Sequence, residues 1–146
     1  MYKLIVKRIV RRKFAALSRG HYEPILGQFR PDSRFLFAGD HALGGERRGQ
    51  EAVREWFRDM LGRFPGIRIE PVDVVVNGWP WNTVVANHLV VSATLADGRP
   101  YTNEGMQLLR LRWGRVVEDL IFEDTLKLAA ELNRMDGGRA EAVAAS

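Results

Sequence analysis

With 146 residues, 46% of them hydrophobic and 27% charged, the chain is sized for one well-filled core, and its composition is that of a globular protein. Cysteine is absent, which excludes disulfides and sulfur-ligated zinc. His21, His41 and His88 lie far apart without paired metal-ligand spacing, so a metal site is not expected. No stretch approaches the roughly 20 apolar residues of a membrane-spanning helix, and charges break every apolar run of the N-terminus, so no secretory leader and a cytoplasmic location are expected.

The net charge of +4 is unevenly placed. Of 22 basic residues, seven (Lys3, Lys7, Arg8, Arg11, Arg12, Lys13 and Arg19) precede the first acidic residue, Glu23, leaving 15 against 18 acidic residues in the rest. The same segment carries Ile5, Ile9, Val10, Phe14 and Leu17 at helical spacing. It reads as a first helix with its apolar stripe on the core and a solvated basic face. Contact with a membrane surface or nucleic acid is the other reading; no nucleic-acid motif accompanies the charges, and a nucleic-acid partner is not expected.

Arg19-Gly20 ends this helix. A short helical piece from His21 to Phe29 follows, and Arg34 to Ala38 reads as a strand closed by Gly39. Asp40 to Arg48 is a glycine-containing loop of the kind that borders a pocket. From Gln50, Val53, Trp56, Phe57, Met60, Leu61 and Phe64 repeat at i, i+3, i+4, i+7, i+8 and i+11, an amphipathic helix stopped by Pro65-Gly66. The period then becomes strand-like: Ile67 to Val76 with Pro71 at an edge or bulge, Thr83 to Leu95, Tyr101 to Arg112, and Arg115 to Asp124. Asp97-Gly98 and Trp113-Gly114 mark tight turns. Thr125 to Arg134 reads as a closing helix. One domain over residues 1–135 and a flexible tail over 136–146 are expected.

Segregated helices followed by an antiparallel meander define an α+β fold, a curved sheet covered by N-terminal helices and a C-terminal helix. The strand from Thr83 to Leu95 is apolar on both faces, with Val84, Ala86 and Val90 on one and Leu89, Val91, Ala93 and Leu95 on the other. The second face also needs cover, and a sheet-to-sheet homodimer would supply it.

Three segments, Gly39 to Phe57, Asp97 to Gly105 and Trp113 to Thr125, resemble in order and spacing the SnoaL-like branch of the nuclear transport factor 2-like superfamily. The resemblance covers about residues 14 to 134. It implies a cone-shaped fold with a hydrophobic pocket for a small hydrophobic molecule, on a scaffold that hosts cyclases, isomerases and non-catalytic binding modules alike. An aspartate at the end of the last strand is the base of SnoaL-like polyketide cyclases, and Asp124 is its counterpart here. A cofactor-free cyclase or isomerase acting on a carbonyl-bearing substrate is the reaction so implied, with a non-catalytic small-molecule-binding domain as the alternative.

Strand parity groups Asp124 with Phe122, Leu120 and Glu118; Asp124 followed by Thr125 also suits a helix N-cap. Asn103 shares a strand face with Tyr101, Gly105 and Gln107, a polar strip that lines either the pocket or solvent. Tyr22, Phe37 and Trp56 are candidates for an aromatic wall, or ordinary core. Asp40 and His41 border the loop, where the histidine either moves protons or bonds to its own turn. The expected catalytic set is therefore Asp124, His41 and Asn103, with Tyr22, Phe37, Asp40, Trp56, Tyr101 and Phe122 binding the ligand.

Overall fold

The computed structural model describes residues 1–145; Ser146 and the side chains of 139–143 and 145 lie outside the described residues. The elements run α1 (Tyr2–Leu17), α2 (Glu23–Leu26), β1 (Phe29–Phe37), β2 (Gly45–Arg48), α3 (Gly49–Arg63), β3 (Arg68–Trp79), β4 (Asn82–Thr94), β5 (Pro100–Arg112), β6 (Arg115–Glu123) and α4 (Thr125–Ala145). The six strands form one sheet in the order β2-β1-β6-β5-β4-β3. β3 to β6 are the antiparallel meander expected from the sequence. β1 joins its open side in parallel with β6, and β2 covers the outer edge of β1.

Four features differ from the sequence reading. The second helix shrinks to a single turn, because Phe29 onwards is drawn into β1, pairing with Val116. Part of the Asp40–Arg48 loop becomes β2, whose polar sequence carries no strand period but pairs with β1 at its edge. α4 continues past Arg134 through Gly137 and Gly138 to Ala145, over most of the segment expected to be a tail. In α1 the buried residues are Val6, Val10 and Leu17, while Ile5 and Ile9 remain substantially exposed. The register shift between Pro71 and Asp73 is the bulge that Pro71 marks, on the edge strand β3.

The helices cover the concave face. α1 lies along β3, fixed at its ends by Tyr2 Oη to Thr83 Oγ1 and by the Ile69 amide donating to Ser18 Oγ at 3.0 Å. α3 packs Val53, Trp56, Phe57 and Met60 toward β1. Leu128 and Leu132 of α4 join the same buried cluster as Phe29, Phe35, Phe37 and Phe64. Alternation puts the odd residues of β4 and β5 inside. Among the described residues no helix is long and apolar enough to cross a membrane.

Candidate functional site

The concave face encloses a cavity of about 280 Å³, at the small end of ligand pockets. Its walls are overwhelmingly apolar and aromatic, with Phe35 and Phe37 of β1, Trp56 and Phe57 of α3 and Phe64 on one side and Leu89, Val91 and Leu109 of β4 and β5 on the other. Phe35 and Phe37 meet Trp56 with ring centroids 4.8 and 5.2 Å apart, and the indole N–H is satisfied by the Leu43 carbonyl at 2.8 Å. The aromatic wall is thereby held rigid.

A row of three polar side chains runs along the sheet here, two of which, Gln107 and Asp119, reach the cavity surface. Asn87 on β4 and Gln107 on β5 are directly opposite, and Asp119 on β6 is the diagonal neighbour of Gln107, being paired with Leu109. Asn87 Nδ2 donates to Gln107 Oε1 at 2.8 Å, and Gln107 Nε2 donates to Asp119 Oδ1 at 2.9 Å. All three are buried. Desolvation pushes the Asp119 carboxyl up to about 7, the Gln107 hydrogen bond opposing only part of the shift. No cation pairs with it among the described residues, and its second oxygen has no protein partner there. Asn87 Oδ1 is likewise buried without a partner, an arrangement that costs about 1–3 kcal/mol unless a ligand or water supplies a donor.

A second acid lines the same cavity. Glu123, on the face of β6 that Asp119 occupies, lies roughly 13 Å further along the strand and is also raised to about 7 by burial. Its side chain crosses Gly105, where a Cβ would sit 2.7 Å from Glu123 Cγ and 2.4 Å from the Phe122 carbonyl oxygen; glycine is what lets the carboxyl fold inward there. Tyr101 lies on the same cavity wall; burial raises its phenol to about 12, and its oxygen accepts from Asn103 Nδ2 at 2.9 Å.

The expected site residues divide between two faces. Phe37, Trp56 and Tyr101 line the cavity. Asn103 is buried on the concave side but ties Tyr101 to the Asp124 backbone, bonding the Asp124 carbonyl at 3.2 Å and its amide at 3.3 Å. Tyr22 stacks on Phe57 at 5.5 Å, behind the wall. His41 packs edge-on against Phe37, with Nε2 3.2 Å from the Ala38 carbonyl, Nδ1 buried without a partner, and burial lowering its basicity. Asp40 is exposed. Neither borders the cavity.

Asp124 and Phe122 do not line this cavity; they border a shallow depression on the outer side of the sheet. The concave parity of β6 is Asp119, Ile121 and Glu123, so Phe122 points outward and is 49% exposed. Asp124 is exposed and caps α4, its Oδ1 accepting from the Lys127 amide at 3.1 Å. Sequence reasoning missed Asp119, Glu123 and Asn87. The signal was present: Asp119 and Glu123 share the parity of Ile121, and Gln107 had already been grouped with Tyr101. Among the described residues no cluster of three metal-ligating side chains occurs.

A curved α+β cone with an apolar, acid-containing interior defines the nuclear transport factor 2-like class. The chain belongs to the SnoaL-like domain family, whose model matches residues 10–119. Its fold is similar to that of PrhC from Penicillium brasilianum (TM-score 0.76, 17% identity, covering 96% of this chain and 93% of that one). It is also similar to a putative polyketide cyclase from Xanthomonas campestris (TM-score 0.65, 15% identity, 90% and 99% covered). An NTF2-like protein of unknown function from Burkholderia pseudomallei matches at TM-score 0.70 and 24% identity, with 86% and 95% covered. Curated proteins offer no significant sequence match.

Proposed function

We propose that this protein is a cofactor-free cyclase or isomerase that binds a small, hydrophobic, carbonyl-bearing molecule in its cone and that Asp119 exchanges a proton with it. The observation that carries the proposal is a buried carboxyl, raised to about 7 by desolvation, held at one oxygen by the Gln107 amide and otherwise facing an apolar cavity. A carboxyl so tuned is a stronger base than an ordinary aspartate and is half-ionised near neutrality, which suits it to take a proton from carbon beside a carbonyl and return it elsewhere. Gln107 positions the carboxyl, and Asn87, behind the cavity wall, holds the Gln107 amide in turn. Glu123 and Tyr101 flank a more distant part of the ligand. Asp124, exposed at its cap, has no part in this scheme. The kinship with a structure described as a putative polyketide cyclase is in keeping with such chemistry.

The test is deuterium exchange at the α-carbon of hydrophobic ketones and β-diketones in heavy water. The protein should accelerate exchange with a rate rising through about pH 7 as the base ionises, and Asp119→Asn should lower it by about 10²–10⁴ while leaving the affinity for an apolar fluorescent ligand within a few-fold. Equal exchange by Asp119→Asn and the parent protein would remove the catalytic reading and leave a non-catalytic binding cone.

We also propose that two copies associate through the outer face of the sheet. Val75, Met106 and Phe122 are 56%, 50% and 49% exposed there, beside half-buried Val84, Ala86 and Val90 of β4, an apolar area that a second copy of the same face would cover.

A further inference from the structure

We propose that the mouth of the cone is a docking surface for anionic lipid bilayers. Two turns at one end of the sheet bring three tryptophans together: Trp79 at the end of β3, Trp81 between β3 and β4, and Trp113 between β5 and β6. They are 62%, 57% and 71% exposed, and the rings form a connected row with centroids 6.1 and 6.3 Å apart. The Trp113 amide donates to the Pro80 carbonyl at 2.6 Å, fastening the two turns together. Trp113 also has φ +52°, a left-handed conformation that bulky L residues avoid.

The first turn of α1 lies beside this row. Tyr2 hydrogen-bonds Thr83 Oγ1, which itself donates to the Trp79 carbonyl at 2.8 Å. From there α1 presents two adjacent i, i+4 rows to solvent, Leu4-Arg8-Arg12 and Ile5-Ile9-Lys13. Leu4, Ile5 and Ile9 are 69%, 50% and 43% exposed. These aliphatic side chains are therefore neither core nor a solvated polar face.

The charged residues of these segments have one sign. Lys3, Lys7, Arg8, Arg11 and Arg12 stand on α1, and Arg112 and Arg115 flank Trp113-Gly114. Neither the first 22 residues nor the segments 79–83 and 110–115 contain an acidic residue. Among the described residues no carboxylate pairs with these α1 cations. Tyr2, Ile5, Ile9, Lys13, Pro80 and Gly114 border the cavity itself, so α1 and the two tryptophan-bearing turns meet at one opening.

A bilayer with anionic headgroups answers all three features together. Indole rings favour the headgroup level, the aliphatic side chains enter the acyl boundary, and the unpaired cations meet lipid phosphates. A nucleic acid would meet the cations but leave Leu4, Ile5 and Ile9 in water. Docking of this kind lays the surface on one leaflet and requires no spanning segment.

Flotation of the whole protein with vesicles tests this. Binding to phosphatidylcholine–phosphatidylglycerol vesicles, weakened by salt and accompanied by a blue shift of tryptophan emission, is expected, with little binding to phosphatidylcholine alone. The double variant Arg8→Glu, Arg12→Glu should lower partitioning by roughly fivefold or more for each position. Trp113→Asn, a residue that tolerates the left-handed backbone, and Ile5→Ser should each weaken it too, with circular dichroism unchanged. Failure to float with the anionic vesicles, undiminished flotation of the folded double variant, or tighter binding of a single-stranded oligonucleotide would overturn the proposal. No cavity ligand enters the measurement, so its result is independent of the acid/base reading of Asp119.

Discussion

Asp119 opposes folding at neutral pH. In the unfolded chain its carboxyl titrates near 3.8, whereas burial holds it near 7 in the fold. The folded state therefore binds the proton more tightly, and the associated stability is complete below about pH 4 and lost as pH rises toward 7. The displacement corresponds to about 4 kcal/mol, so Asp119→Asn should raise Tm at pH 8 and change it little at pH 4, as thermal unfolding at the two pH values would show. A variant no more stable than the parent at pH 8 would contradict the burial on which the proposed chemistry rests. Gaining stability while losing exchange activity is what distinguishes a functional acid from a structural one. In sequence, Asp119 sits among the charged and apolar letters of a strand, and only strand parity separates it from Glu118. That parity is fixed here by the register with β5 and by a bulge between Arg110 and Leu111, neither visible in one strand read alone. Anchoring the strand on its terminal Asp124 selected the opposite face.

At the scale of elements, the cap at the start of α4 and the cavity chemistry are separable. Asp124→Ala removes the acceptor for the Lys127 amide and should cost about 1 kcal/mol, seen as a lower Tm, with exchange at a ketone α-carbon unaltered. Loss of turnover without loss of stability would instead return Asp124 to the chemistry. The elements that were legible are those whose period is long and whose face is unambiguous: α3, with buried Val53, Trp56, Phe57 and Met60, and the four strands of the meander. β2 was not, because Gly45–Arg48 is a polar edge strand held by its pairing with β1 and not by a buried face. The N-terminal half of β1 was hidden for a related reason, as Arg30, Pro31 and Asp32 read as a helix end while the parallel partner lies far off in sequence. In α1 the helix was legible but its rotation was not. Ile5 and Ile9 fit the apolar period as well as Val6 and Val10, and only packing on β3 decides between them.

For the whole molecule, the doubly apolar β4 foretold a sheet with two faces to cover, and the fold covers only one. The proposed association is testable by sedimentation: the parent protein should behave as a dimer, and Phe122→Arg, which puts a charge on the proposed face without touching the cavity, should yield a folded monomer. A monomeric parent protein at micromolar concentration would end that proposal. The parallel junction of β1 with β6 has a different kind of consequence, for the order in which the molecule is made. Arg34 and Glu118, ion-paired across that junction, are 84 residues apart in sequence. A chain emerging from the ribosome thus carries β1 with one edge bare until β6 has been synthesised. The wall bearing Asp119 arrives with the sixth strand, and Leu128 of α4 later still, so the cone closes only after β1 to β5 have been made and not by growth around a finished pocket.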